Sequence, residues 1–260
     1  MKVGLALSGG GARGYAHLGV LRELERHSVP IDLIAGTSAG SFAGGAYATG
    51  LSVDEIIAFG SKLSWFAIAG FSYSPRGLLS NAGLAAFIER NFPVRRFEDL
   101  AIPFAAVTCD LETGDEVVLS GRGDLAQAIR ASCAVPGVFS PVAADGGRLL
   151  IDGGVITPTP AQTVREMGAD VVIAVDLMAC GATFHGVPRT LVGTLFQSAM
   201  TLLRAASRAQ HYHADVIIQP AIAHIRPDEI RKREELIELG ERAAREKIGE
   251  IMQQLGGAKR

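Results

Sequence analysis

Three short stretches hold residues whose types and spacing could do chemistry: Gly9-Gly10-Gly11-Ala12-Arg13-Gly14, Gly36-Thr37-Ser38-Ala39-Gly40 and Asp152-Gly153-Gly154. The second is a G-x-S-x-G set between a short apolar run and a helical pattern. In that setting the turn is too tight for side chains at its glycines, and the serine Oγ stands exposed at a helix N-terminus. Free N–H groups and the helix dipole there favour developing negative charge. The competing reading is a plain helix cap, with Gly36 and Gly40 allowing close packing.

A serine nucleophile needs a base and an oxyanion hole. In the α/β-hydrolase order a histidine base follows an acid downstream of the serine, which leaves His185, His211, His213 and His224. None lies in a strand-end loop with an obvious acid before it, and His211 and His213 end a long helix, where a cationic ring suits the dipole. His17, three residues inside the first helix, reads as a packing or hydrogen-bonding residue. Asp152 fits better. A carboxylate leaving a strand beside two glycines can approach another backbone closely, and partial desolvation raises its pKa toward the range useful for taking a serine proton. Taken alone, Asp-Gly is also an ordinary turn.

The glycine stretch can hold a phosphate or an oxyanion. As G-x-G-x-x-G, Gly9 to Gly14 matches a dinucleotide fingerprint, which wants an acid at the end of the second strand. Asp32 precedes its strand instead, and the far end of that strand carries the G-x-S-x-G. No Gly-Lys-Ser/Thr occurs, which excludes a P-loop.

The elements that must position these residues alternate. Apolar runs predict strands at Lys2–Leu7, Leu33–Ala35, Phe104–Thr108, Glu116–Leu119, Val171–Asp176 and Val216–Gln219. A hairpin is expected from Val138–Ala143 and Arg148–Ile151 around Asp145-Gly146-Gly147. Helical periodicity and caps predict Gly14–Arg26, Ala39–Thr49, Val53–Leu63 behind Ser52, Leu125–Cys133, Ala161–Met167 and Thr190–Gln210. A last helix repeats Ile237, Gly240, Ala244, Ile248, Ile251 and Leu255 along one face. This alternation implies an α/β fold, three-layer α/β/α with a largely parallel central sheet. With no repeat, low-complexity tract or convincing linker, residues 1–260 read as one domain.

Composition bounds the partners. The chain has 260 residues, 48% of them hydrophobic, which suffices for a sizeable core. With 25 Lys and Arg against 27 Asp and Glu, the net charge of −2 gives no reason to expect nucleic acid. Cys109, Cys133 and Cys180 lack CxxC or His-Cys spacing; they read as buried thiols of a reducing compartment, with no metal site. The apolar run before the glycines is too short for a signal peptide, and Ile56 to Phe71 is broken by Lys62, Gly and Ser. The expectation is a cytoplasmic protein. Trp65, Phe66, Phe71 and Tyr73 read either as an interfacial patch or lid, making peripheral membrane contact, or as a loop packed on the core.

The three motifs in this order resemble the patatin-like phospholipase family. Gly9 to Gly14 matches its oxyanion motif, Gly36 to Gly40 its nucleophile elbow, and Asp152-Gly153-Gly154 its dyad acid motif. Ala131-Ser132-Cys133-Ala134-Val135-Pro136-Gly137-Val138-Phe139-Ser140-Pro141 is similar to its A-S-x-A-x-P-x-x-F-x-P segment. Val164 to Asp176 resembles the stretch downstream of the acid motif in bacterial members. The likeness spans Val3 to Asp176; the helices over 190–256 are less diagnostic.

The resemblance implies a hydrolase of lipid acyl esters with neither metal nor catalytic histidine and no cofactor. Ser38 would be the nucleophile and Asp152 the general base. Amides around Gly10 and Gly11, within the Gly9–Gly14 stretch, would hold the oxyanion, with Arg13 ordering the loop. Gly36, Gly40, Gly153 and Gly154 would support the elbow and the acid. Ser8 stands where many members have aspartate, and Thr157 where many have asparagine. A transacylase, or a non-catalytic regulator on the same fold, are the alternatives.

Overall fold

The computed structural model describes residues 1–64, 68–72, 76–178 and 188–257. Trp65, Phe66, Tyr73, Cys180 and His185 lie outside these residues, as does the side chain of Phe71. Both readings of the aromatic stretch therefore fall beyond the description.

Among the described residues, eight strands form one sheet. Five are parallel: β1 (Val3–Leu7), β2 (Leu33–Thr37), β5 (Phe104–Asp110), β9 (Val171–Val175) and β10 (Val216–Ile218), in the order β10-β9-β1-β2-β5. Three are antiparallel additions: β6 (Glu116–Ser120), β7 (Val142–Ala143) and β8 (Leu149–Asp152). A separate two-stranded ribbon joins β3 (Gly70–Phe71) to β4 (Leu79–Ser80).

Side chains alternate across the parallel strands, as a sheet covered on both faces requires. Leu5, Leu7, Ile34, Ile173 and Val175 pack into the larger core with helices α1 (Tyr15–Arg26), α2 (Ala39–Ala48), α3 (Val53–Gly60), α4 (Ala82–Asn91), α5 (Leu125–Ser132) and α8 (Arg233–Gly257). Ala6, Leu33, Ala35, Val172 and Ala174 face the other way, against Ala161 and Val164 of α6 (Ala161–Glu166). The result is the expected α/β/α arrangement, with one thick layer and one thin one.

Several boundaries differ from expectation for identifiable reasons. β2 runs two residues further than its apolar run, through Gly36 and Thr37, because parallel pairing with β5 continues to Thr37–Val107. The hairpin is shorter than expected: Pro141 has no N–H to give a ladder, and Gly137 at φ 79° turns the chain. Helix α4 is an addition to the expected elements. Asn81 precedes it but does not cap it; its side chain bonds Arg130, accepting from Nε and donating to the carbonyl. Ser52 does cap α3, with Glu55 closing a capping box.

One topological fact sets the site. On one edge of β5, β6 pairs with Ala105 through Cys109. The other edge is consequently shared end to end, by β2 opposite Phe104–Val107 and by β8 opposite Thr108–Asp110. Strand β2 ends at Thr37 and β8, running the opposite way, ends at Asp152. The two chain ends meet there.

Helices α1 and α8 pack backbone to backbone, since a Cβ on Gly240 would strike the Ala16 carbonyl and one on Gly19 the Ile237 carbonyl. Gly249, on the same helix as Gly240, faces open space. Gly240→Ala is expected to destabilise the protein by about 1–3 kcal/mol through overpacking. Gly249→Ala should instead stabilise it by about 0.5–1 kcal/mol. Urea unfolding of the two variants checks the opposite signs.

Candidate active site

Ser38 occupies the turn between β2 and α2 with φ 53° and ψ −119°, a positive-φ conformation costly for a residue with a Cβ. Its surroundings impose that geometry. A Cβ on Gly36 would collide with the Gly40 backbone, and one on Gly40 with the Leu7 carbonyl. The Ser38 carbonyl accepts from Ser41 N and Phe42 N at 2.9 and 3.1 Å and from Ser41 Oγ at 2.7 Å. The Ser38 N–H donates to Ser132 Oγ at 2.9 Å, and that hydroxyl donates to the Val107 carbonyl at 2.6 Å. Ser132 thus bolts the elbow to the middle of β5.

Asp152 is the last residue of β8 and is buried. Its N–H donates to the Ala134 carbonyl at 3.0 Å, two residues from Ser132, so one short segment fixes both strand ends. Burial raises the Asp152 pKa from its usual 3.8 to about 6. The neighbouring Ser38 side chain and the hydrogen bond from the Gly154 N–H, 2.8 Å from Oδ1, act in the opposite direction. Gly153 lies directly against the Val107 carbonyl, with no room for a Cβ. Thr37 Oγ1 donates to the Thr157 carbonyl at 2.8 Å, tying the elbow to the loop behind Asp152, while the Thr157 hydroxyl donates to Glu116. Cys133 stands beside the pair, but burial, reinforced by the Asp152 charge, pushes its thiol up to about 12. It stays protonated and is no rival nucleophile.

The glycine stretch follows β1. Ser8 N donates to Val175 O and Gly9 N to Pro158 O, at 3.1 and 2.9 Å. Gly9 approaches Ser38 so closely that an added Cβ would lie 3.5 Å from the serine's own. Arg13 is buried and donates from Nε to the Ile225 carbonyl at 2.7 Å, while Ala12 N donates to Pro227 O at 2.7 Å. Gly11 has φ +59° and packs against Pro227, and Gly14 packs against Ala39. Among the described residues the N–H groups of Gly10 and Gly11 donate to no protein acceptor. Sequence reasoning missed a further candidate donor, the Ala39 N–H directly after Ser38; the helix start itself is the signal for it. Asp32 accepts from the Val3 N–H at the opposite end of the strands, far from a dinucleotide's ribose position.

The histidines are occupied elsewhere. His17 is buried, donates from Nε2 to the Ser8 carbonyl at 2.8 Å, and is held neutral with a pKa of about 4, chiefly by burial. His211 does have an acid, contrary to the sequence reading: its Nε2 lies 2.6 Å from Oδ2 of buried Asp176, just past β9. No strand-end spacing signals that pair, because the partners are 35 residues apart. His224 pairs with Glu235 at 2.8 Å on the surface. Among the described residues no three His, Cys, Asp or Glu side chains converge as metal ligands.

Ser38 opens on a pocket of about 920 Å³, mouth included. Cys133 and Asn81 also line it, and Leu18, Phe42, Ile56, Leu63, Ile68 and Leu84 give it an apolar wall. Phe42 is one turn along α2 from Ser38 and is backed by the rings of Phe59, Phe87 and Phe92, at centroid distances of 6.4, 6.2 and 5.7 Å. Such a cavity accepts a hydrocarbon chain whose polar end lies at the serine.

Two outcomes are expected for the unliganded protein. The native Asp152 pKa lies above its unfolded value, so its contribution to stability is complete below about pH 3.8 and is lost as pH rises through about 6. Asp152→Asn is therefore expected to raise stability near neutral pH by up to about 3 kcal/mol, the gain vanishing in acid. Urea titrations across pH test the sign. Ser132→Ala leaves the Ser38 N–H unpaired and should cost about 1–3 kcal/mol in the same titration at neutral pH.

A sequence model described as patatin-like phospholipase matches residues 5–165. An uncharacterized NTE family protein of Mycobacterium tuberculosis is 40% identical over 179 residues, 68% of this chain and 49% of that protein. Patatin-like phospholipase domain-containing protein 7 of Mus musculus is 37% identical over 182 residues, covering 67% of this chain and 13% of its own length. The chain thus spans about half of one relative and a small part of the other. Two solved structures share the fold. VipD from Legionella pneumophila gives TM-score 0.61 and 15% identity, with coverage of 98% of this chain and 67% of that one. Human GIVD cytosolic phospholipase A2 gives TM-score 0.60 and 11% identity, covering 99% of this chain and 60% of its own. Its match to the family pattern over more than half its length, and the fold around that match, place the chain in the patatin-like phospholipase family.

Proposed function

We propose that this chain hydrolyses acyl esters of lipids through a Ser38–Asp152 pair. The observation that carries the reading is the strained Ser38, set where β2 ends against the buried carboxylate that ends β8, and opening on an apolar pocket.

The acyl chain lies along Leu18, Phe42 and Ile56, with its carbonyl carbon above Ser38 Oγ. At neutral pH Asp152 is ionised and takes the serine proton as Oγ attacks. The ester's carbonyl oxygen becomes an oxyanion facing the free N–H groups of Gly10 and Gly11, each such donor contributing roughly 3–4 kcal/mol to the transition state. Collapse breaks the C–O bond, and protonated Asp152 gives its proton to the departing alcohol oxygen. Water then enters, Asp152 takes its proton, and hydroxide displaces the serine from the acyl group. The proton returns to Ser38 Oγ, leaving a free fatty acid and the starting enzyme.

The raised pKa of Asp152 suits this cycle, since a base near the working pH can both accept and return a proton. Arg13 acts at one remove, holding the glycine loop to the Ile225 carbonyl. His17 does the same from the other side through the Ser8 carbonyl.

Ser38→Ala and Asp152→Asn are each expected to abolish turnover of short p-nitrophenyl esters while circular dichroism stays unchanged. Fluorophosphonate labelling should disappear in Ser38→Ala. Retained turnover in either variant overturns the dyad. For the native protein, kcat/KM should climb with pH to a plateau with a midpoint near 6, following deprotonation of Asp152.

A further inference from the structure

Helix α7 (Leu191–Gln210) has an outer face unlike the other long helix of the molecule. Among its described side chains, the exposed ones are Leu191, Thr194, Leu195, Ser198, Ala199, Thr201, Leu202, Ala205, Arg208 and Ala209. Three leucines dominate, at 76%, 62% and 72% exposure for Leu191, Leu195 and Leu202. Positions 191, 195 and 202 fall within about 40° of one another around a helix, so they form one stripe. By contrast, the exposed positions of α8 include Glu234, Glu238, Arg242, Arg245, Glu246 and Glu250, an ordinary water-facing surface.

Charge singles out the same region. No acidic residue occurs between Asp176 and Asp215, while Arg189 and Arg208 are exposed and make no ion pair among the described residues. Just beyond the helix, Tyr212 is 91% exposed. Leucines in a line, basic residues without acids, and an aromatic ring at the end are the composition of a helix that lies in a lipid interface. The helix does not qualify as a membrane span; no helix among the described residues is long and apolar enough for that.

The buried side of α7 and the turn after it meet segments that border the site. Ser207 Oγ lies 2.7 Å from Oγ1 of Thr159, in the loop behind Asp152, and His211 bonds Asp176 beside the glycine loop. The leucine stripe lies on the side of α7 turned away from Ser207.

We infer that α7 is a docking helix for an anionic lipid surface, seating Leu191, Leu195 and Leu202 among acyl chains with Arg189 and Arg208 at the headgroups. The choice of a lipid partner rests in part on the proposed activity, but the stripe and its charge are independent of it.

Co-sedimentation with vesicles tests this without turnover. Wild type is expected to bind vesicles of equal parts phosphatidylcholine and phosphatidylglycerol, and to bind phosphatidylcholine alone more weakly. The double variant Leu195→Ser with Leu202→Ser should bind the mixed vesicles at least about tenfold more weakly. Arg208→Glu should narrow the difference between the two vesicle types. All variants should hydrolyse a soluble p-nitrophenyl ester at the wild-type rate, because none of these residues touches the pocket. Undiminished vesicle binding by the double variant overturns the inference. So does a native dimer on size exclusion that the double variant dissociates while vesicle binding persists, since the stripe is then a contact between copies. A wild type that binds vesicles but cleaves no ester refutes the proposed activity alone.

Discussion

Everything in the site depends on how strand β5 divides its two edges among neighbours. β6 fills one edge along most of its length, and β2 and β8 share the other between them. Strands that share an edge end to end must stop where they meet. Each therefore delivers its last residues to the same point above Val107 and Thr108. That junction turns a separation of more than a hundred residues in sequence into the close approach of a serine and a buried carboxylate. It also explains why the neighbouring glycines are required: Gly36, Gly40 and Gly153 each lie where another stretch of backbone presses directly against them.

The same junction fixes the energetics. Bringing Asp152 out of water favours its protonated form, and holding Ser38 at positive φ costs further conformational energy. Neither strain would survive in an isolated turn. Here both are offset by the close-packed sheet below and by Ser132 and Ala134, which bond the two strand ends from above. The pair is held in place by backbone contacts on every side, so the Ser38 and Asp152 side chains themselves carry little of the structure.

Much of this is legible in the sequence. The strand–turn–helix setting of Ser38, the glycines around it and the strand leading to Asp152 all occupy their expected places, because apolar periodicity reports local pairing well. Relations between distant segments stay hidden. Ser132 lies inside a recognisable motif, yet nothing local shows that its hydroxyl bridges Ser38 to β5. The His211–Asp176 pair escapes for the same reason, since a contact across 35 residues leaves no periodic trace. Helix α4 also escapes, although Leu84, Ala85, Phe87 and Ile88 are spaced for one buried face; the ambiguous residues around Gly77 obscure its start.

The free amides of Gly10 and Gly11 have one more consequence. Because their orientation is imposed by Arg13, His17 and the end of β1, the cradle exists before any ligand arrives. The Ser38 backbone is likewise shaped by its neighbours and not by its own hydroxyl. Deleting a single oxygen atom would leave the cavity, the amide cradle and the fold in place. Under the proposed mechanism, a lineage that lost that atom would keep the pocket and lose the reaction, so this architecture stands one mutation from a binding protein.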